Sequence, residues 1–233
     1  MTRVHVSMIV RNEMARHLVR AVECASWIAA ANGGHIIVTD DASTDATVQF
    51  MSSFTDHIQI HEEPMFLVHE GRARQSHYEF MSQFVEPGDW VLALDADETM
   101  NRPELVGERV RDAIRTGCGL VLTPQVELWS EDDPPLQRMD GYWATMTAMR
   151  LYEFQTGGRI KDKEMASWSV PDYALAQRST GLKQDGLDLL HWGYSRVPDR
   201  HAKFERYIHR PGHNRKFIRS IIDPNPVLRE YRG

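Results

Sequence analysis

The first hundred residues alternate between short apolar runs and longer stretches in which an apolar residue recurs every three or four positions. Val4-His5-Val6-Ser7-Met8-Ile9-Val10 reads as a strand. From Glu13 to Ala31, Met14, Leu18, Val22, Ala25 and Ile28 keep helical spacing until Asn32-Gly33-Gly34 stops them. His35-Ile36-Ile37-Val38-Thr39 is a second strand ending in Asp40-Asp41, and Ser43-Thr44-Asp45 supplies cap chemistry for a helix to about Phe54. A third strand, His57 to His61, precedes a helix from Glu70 to Phe84, and Asp89-Trp90-Val91-Leu92-Ala93-Leu94 is the fourth strand. This alternation predicts a mostly parallel α/β sheet, covered on both faces and joined by right-handed crossovers, with ligands at the C-terminal strand ends.

The second half is less regular. Arg102 to Thr116 reads as a helix, Leu120-Val121-Leu122 as a strand, and Ser130 to Gln137 as an acidic, proline-bearing loop. Tyr142 to Phe154 is expected to be a strand, as is Leu187 to Leu190 just before His191. Pro198 to Arg210 has the pattern of an amphipathic basic helix with Phe204, Tyr207 and Ile208 on its apolar side. Beyond Pro211-Gly212 the chain is rich in Arg, His and Pro and is expected to be partly mobile.

A chain of 233 residues with 42% hydrophobic and 26% charged residues fits one soluble globular domain. It holds no apolar run of the roughly 18 residues that would span a bilayer and no signal-peptide pattern, so cytoplasmic residence is expected. Cys24 and Cys118 have neither metal-ligand nor disulfide-framework spacing. Charge changes the picture more. From position 191 to 233 there are 10 Lys and Arg against 4 Asp and Glu, a net of +6, whereas the other 190 residues carry 17 against 29, a net of −12. The basic segment would attract a polyanion, whether a nucleotide diphosphate or a nucleic acid. The division expected is a body over 1–190, with a nucleotide-binding half to residue 100 and an acceptor half after it, and a basic tail over 191–233.

Candidate chemistry collects where the strands end. With 17 Asp in the chain, about one Asp-x-Asp arises by chance, so Asp95-Ala96-Asp97 draws its weight from following a buried strand. Two hard oxygen ligands at that edge suit Mg²⁺ or Mn²⁺, with open positions for a diphosphate. Asn12-Glu13 follows the first strand and Asp40-Asp41 the second, so three polar clusters should share one edge. Asp40 and Asp41 suit hydrogen bonds to a ribose or a uracil imide; helix capping is the alternative and accounts well for Ser43 and Asp45. His191, after a strand-like run, is a nitrogen ligand that could complete a set with Asp95 and Asp97. Trp143 and Trp168 could stack on a sugar or base, although aromatics in strands commonly belong to the core.

Taken together, Val6 to Glu13, Thr39 to Asp45, Gly71-Arg72-Ala73-Arg74-Gln75 and Leu94 to Glu98 resemble the family 2 glycosyltransferases of the GT-A fold. The resemblance implies a Rossmann-like, nucleotide-diphospho-sugar transferase fold. It implies that Asp40 and Asp41 hold the nucleoside, that Arg72 and Arg74 lie near the base and diphosphate, that Asp97 binds the metal and that Asp95 reaches the ribose or the metal. Where such enzymes commonly carry Arg-Asn, this chain has Arg74-Gln75. Through Arg150-Leu151-Tyr152, Lys163-Glu164, His191, Lys203 and Tyr207, the second half is similar to a subgroup that glycosylates lipopolysaccharide cores. That pattern points to Glu164 as catalytic base, with Lys163 where a His usually stands, and leaves Asp162 and Asp172 in reserve.

The chemistry that follows is metal-assisted, inverting transfer from a UDP-sugar, with glucose as the default sugar. The acceptor expected is a glycan, a lipid-linked sugar or an anionic polymer such as hydroxymethylated DNA. The tail admits two functional readings: a lid closing Arg196, Arg200 and Lys203 over the diphosphate, or a surface on which Arg206, Arg210, Arg215, Lys216 and Arg219 dock an anionic acceptor or membrane lipid. A solvated basic face balancing the acidic body is the plain alternative. Two other functions compete. A sugar-phosphate nucleotidyltransferase would need a glycine-rich loop where this chain has Arg11-Asn12-Glu13-Met14-Ala15. The other is a non-catalytic protein binding a polyanion or sugar nucleotide.

Overall fold

The computed structural model describes residues 2–164, 168–209 and 214–232. In β1 (Val4–Val10), Val4, Val6, Met8 and Val10 enter one hydrophobic cluster while His5 and Ser7 are buried on the opposite side, the period-two alternation of a strand covered on both faces. Helix α1 (Leu18–Ala31) covers the first face with Leu18, Ala21, Val22, Ala25 and Ile28. It starts later than its periodicity predicts, because the preceding loop is tied elsewhere. Asn12 takes a left-handed φ of 51°, and the Glu13 N–H donates to Thr47 Oγ1 at 2.9 Å.

β2 (Ile36–Asp40), α2 (Thr47–Met51) and β3 (Ile58–Ile60) follow, α2 being shorter than expected because residues 52–55 close it with turn hydrogen bonds. Helix α3 (Glu70–Met81) buries Ala73, Tyr78 and Met81 together with Arg74 and His77, and β4 (Trp90–Asp95) completes the regular half. β1 lies between β2 and β4, parallel to both, with Met8 opposite Val38 and Leu94.

A tight turn at Ala96-Asp97 then leads into β5 (Glu98–Met100), a strand the sequence pattern does not announce. Helix α4 (Val106–Thr116) ends at Gly117, whose φ of 70° suits glycine. β6 (Leu120–Glu127) runs well past the expected Leu122; Pro124, which normally argues against an inner strand, sits within it. β7 (Leu136–Arg138) and a 3₁₀ turn over Gly141–Thr145 precede β8 (Thr147–Glu153), so only the second part of the expected 142–154 strand is extended. The short α5 (Asp172–Leu175), β9 (Leu182–Lys183) and β10 (Leu189–His191) lead to α6 (Val197–Ile208), α7 (Arg215–Ser220) and β11 (Leu228–Glu230).

The main sheet runs β3-β2-β1-β4-β8-β6-β10-β5, with β9 beside β6. It is mixed but mostly parallel: β8 lies antiparallel between β4 and β6, and β5 is antiparallel to β10.

In the stretch expected to be partly mobile, the described residues 214–232 carry ordered elements and contacts. β11 pairs with β7, and Tyr231 Oη lies 2.8 Å from Asp188 Oδ2. Arg138, 1% exposed, bonds Asp140 at 2.7 and 2.8 Å and Asp223 at 3.2 Å. Arg210 lies outside the described residues. No helix among those described is long and apolar enough to cross a membrane.

Candidate functional site

Parallel register carries the strand ends to one edge: Val10 is opposite Asp40, and Ile9 opposite Asp95. The far half of the sheet brings His191 beside both Glu98 and Glu127. A cleft of about 840 Å³ opens along this edge. Asn12, Glu13, Asp41 and Arg74 line it, as do Asp95, Asp97, His191 and Lys203. Asp40, Arg72, Glu164 and Arg196 are not in its lining.

At the β1–β2 end the polar residues mostly hold loops. Asn12 Oδ1 accepts the Thr44 N–H at 2.7 Å, and the Asn12 N–H donates to Ser43 Oγ at 2.9 Å. Asp41, wholly buried, accepts the backbone N–H of Met65 at 2.8 Å and of Phe66 at 3.0 Å, and its Oδ1 lies 3.1 Å from His61 Nδ1. Asp40 is also wholly buried; its Oδ1 accepts the Ser43 N–H at 2.8 Å, the turn role the sequence assigned more readily to its neighbours. Glu13 chelates Arg16 Nη1 at 2.9 and 3.0 Å, and burial pushes its carboxyl up to about 7 against the pull of Arg16.

The middle of the cleft is a carboxylate–arginine lattice. Asp95 Oδ1 stands 3.4 Å from the Arg74 guanidinium, and Asp95 Oδ2 is 2.9 Å from Arg150 Nη2. The same Arg150 nitrogen reaches Glu98 Oε1 at 2.5 Å, while Glu98 Oε2 accepts the Asp95 N–H at 3.0 Å. Burial dominates at Glu98 and raises its pKa, whereas at Asp95 burial is outweighed by Arg150 and Arg74, which lower it. The two carboxylates thus diverge in proton affinity within one hydrogen-bonded unit.

At the third end Asp97, His191 and Lys203 converge. Lys203 Nζ lies 3.1 Å from Asp97 Oδ2 and 3.1 Å from His191 Nε2, and Asp97 Oδ2 is 3.4 Å from the same ring nitrogen. His191 Nδ1 faces Glu127 Oε2 at 2.5 Å. Burial would raise the Asp97 pKa, yet Lys203 and then His191 hold it well below the usual carboxylate range. For His191, burial lowers the pKa, and Glu127 and Asp97 together outweigh it and raise it. In the tautomer that places the proton on Nδ1, toward Glu127, Nε2 accepts an N–H of the Lys203 ammonium.

The metal set expected from the sequence is therefore not assembled as a set. Asp95 points its oxygens at two arginines, and a lysine nitrogen stands between Asp97 and His191. Among the described residues no group of three or more His, Cys, Asp and Glu is arranged to hold a metal ion.

Most of the other expected residues do not line the cleft. Glu164 is exposed, and its backbone carbonyl accepts the Glu70 N–H at 3.0 Å, while the neighbouring Lys163 does line the cleft. Asp162 contacts His69 at 3.2 Å and Arg72 at 3.9 Å. Asp172 Oδ1 accepts the Arg159 and Tyr173 N–H groups at 3.2 and 2.9 Å. Arg196 donates to the Ala15 carbonyl at 2.8 Å, and Arg200 to the Trp129 carbonyl at 3.1 Å, so both brace backbone. Both tryptophans line the cleft: Trp143 is 3% exposed and packs with Trp129, Tyr194 and Phe217, and Trp168 is half-buried.

Arg16, Glu127 and Gly193 join the site without a motif that announces them. Pro124 interrupts the apolar run after Leu122 and so conceals that β6 continues to Glu127. Gly193, between Trp192 and Tyr194, carried the available signal of a glycine amid aromatics.

No family model matches the sequence, and no curated protein matches it. Solved structures do resemble the fold. The mannosyltransferase PcManGT from Pyrobaculum calidifontis, in complex with GDP-Man and Mn²⁺, superposes with a TM-score of 0.53 at 11% identity, covering 89% of this chain and 61% of that one. S. aureus TarS 1-349 in complex with UDP-GlcNAc gives 0.44 at 17% identity, over 55% of this chain and 35% of that one. The chain thus spans about a third to three fifths of these relatives' lengths. What it shares with the mannosyltransferase is a fold, and that fold is α/β with a mixed, mostly parallel sheet of the GT-A, Rossmann-like glycosyltransferase kind.

Proposed function

We propose that the chain is a glycosyltransferase that moves a sugar from a nucleotide-diphosphate donor to an acceptor hydroxyl, inverting the anomeric carbon. One observation carries the reading: Asp41, Asp95 and Asp97 share a single cleft, at the C-terminal edge of parallel strands, with Arg16, Arg74 and Lys203. A volume of about 840 Å³ lies in the range of sites that enclose ligands of sugar-nucleotide size. The mannosyltransferase of like fold was captured with GDP-Man, which supports a sugar-nucleotide donor. The choice of UDP comes from the sequence resemblance, and glucose is the default sugar.

In this reading the loops held by Asn12 and Asp41 receive the nucleoside. Lys203 and Arg16, beside Asp97, meet the diphosphate, whose negative charge grows as it departs. Phe66, Tyr142 and Trp168 offer ring faces in the same lining for the sugar and acceptor. Glu164 keeps the role of base, on a segment fastened to the start of α3 by backbone hydrogen bonds from Glu70 and Gly71. The acceptor classes are a glycan, a lipid-linked sugar or an anionic polymer, drawn by Arg206 and the basic α7. Metal is not built into the step, since Asp97 and His191 are already bridged by a cation of the chain.

The test is a thermal-shift panel of UDP-, GDP- and TDP-sugars in EDTA and in Mn²⁺, followed by assay of nucleotide release. One nucleotide should stabilise the fold by about 2.7 kcal/mol at 100 times its dissociation constant, and Lys203→Met should lose that shift in EDTA. Glu164→Gln should keep the shift and lose turnover. No shift with any donor overturns the proposal.

A further inference from the structure

The place where the sequence puts a divalent cation holds an ammonium. Lys203, delivered by α6, is only 8% exposed, with Nζ 3.1 Å from both Asp97 Oδ2 and His191 Nε2 and 4.4 Å from the centroid of the Tyr194 ring. A Cβ on Gly193 would stand 2.1 Å from that Nζ, 2.3 Å from Asp97 Oδ2 and 2.6 Å from His191 Nε2. The three polar atoms therefore close around a point that glycine alone leaves free. An ion bound to the same two atoms at about 2.0–2.3 Å would lie within about 4 Å of Nζ, and two cations so close repel strongly. Asp95 offers no way round, since its two oxygens face Arg74 at 3.4 Å and Arg150 at 2.9 Å.

We infer that Lys203 is the resident cation of this site and takes the place of a divalent metal there; that its anion is a departing nucleotide diphosphate rests on the proposed glycosyl transfer. In that step the bond from the anomeric carbon to the diphosphate oxygen breaks, and its electron pair stays on that oxygen. The acceptor oxygen forms the new bond and gives its proton to a carboxylate. Lys203 keeps its protons; its charge, with Arg16 4.0 Å from Asp97, offsets the charge left on the diphosphate. Two of the three ammonium N–H donors go to Asp97 and His191, leaving one for a ligand in the cleft.

The assignment is tested by titrating Mn²⁺ alone into nucleotide-free protein and following the free ion by electron paramagnetic resonance. Wild type should bind none at Asp97 below about 1 mM, and Lys203→Met should gain one site at least about tenfold tighter. Adding Asp97→Asn to Lys203→Met should remove that site, and Lys203→Arg should behave as wild type. A wild-type site that Asp97→Asn abolishes and Lys203→Met leaves unchanged overturns the inference, as does a folded Lys203→Met protein that binds no Mn²⁺. A second measurement needs no variant: UDP affinity of the wild type should agree within about twofold between EDTA and Mn²⁺, and a gain above about tenfold with Mn²⁺ overturns the inference. If no nucleotide diphosphate binds under either condition, the donor reading fails, and the Mn²⁺ titration still decides the role of Lys203.

Discussion

Asp41 Oδ2 accepts the backbone N–H of Phe66 at 3.0 Å, and through this bond a residue at the end of β2 fixes a loop 25 positions away. The other oxygen accepts the Met65 N–H at 2.8 Å, so a single buried carboxylate satisfies two main-chain donors of the segment that carries Phe66 and Leu67 into the cleft. Asp41→Asn removes the charge and cannot accept both. It should cost about 1.5–3 kcal/mol in chemical denaturation and speed amide exchange at residues 65 and 66. Unchanged exchange there would sink this account of the loop.

Arg150 bridges two carboxylates that no other single cation joins in the described structure: Asp95 at 2.9 Å and Glu98 at 2.5 Å. Arg150→Met leaves Glu98 buried without its cation, facing the half-buried Asp95, and the expected loss is about 3 kcal/mol in urea unfolding. Adding Glu98→Gln should return part of that loss, because the pair then carries one charge. Strict additivity of the two changes would show that the bridge is not where the energy lies.

Gly193→Ala tests the knot around Lys203 directly. The new methyl would stand 2.1 Å from Lys203 Nζ, 2.3 Å from Asp97 Oδ2 and 2.6 Å from His191 Nε2, so the buried pair must open and unfolding should lose about 3–5 kcal/mol. Turnover of the sugar nucleotide by the protein that remains folded should fall by about tenfold or more, since the ammonium is displaced from Asp97. An active Gly193→Ala protein would mean that the position of Lys203 is irrelevant to the reaction.

His77 sets an acid limit. Its Nδ1 lies 2.8 Å from Thr39 Oγ1, and burial, with Arg74 and His61 nearby, lowers its pKa to about 3. Below the ordinary histidine value of about 6.5, the unfolded chain takes up a proton that the folded one refuses, so stability falls with falling pH from there to about 3. The loss by pH 4 should approach about 3 kcal/mol, and His77→Phe should flatten that limb of the stability profile. An equal acid limb in the variant would place the acid sensitivity elsewhere.

What the sequence made legible was whatever rests on local pattern. β1, β2 and β4 announce themselves as apolar runs, and their parallel order alone brings Asn12, Asp41, Asp95 and Asp97 to one edge. What stayed hidden depends on distant partners. β5 and β11 are three residues long and exist because β10 and β7 offer edges to them. Pro124 masks the centre of β6 and with it Glu127, the partner of His191. Asp95 and Asp97 look like free metal ligands in sequence, yet Arg74, Arg150 and Lys203 reach them from three other elements.

The opposed charges of the two parts, −12 over the first 190 residues and +6 over the last 43, act over a longer range than the contacts into which they resolve. Attraction between the two is damped beyond about 8 Å in physiological salt, whereas the buried Lys203–Asp97 pair is shielded from mobile ions. Salt should therefore slow the arrival of α6 at the cleft without loosening it once seated. Long-range charge governs how quickly the cation finds its carboxylate, and burial governs how long it stays.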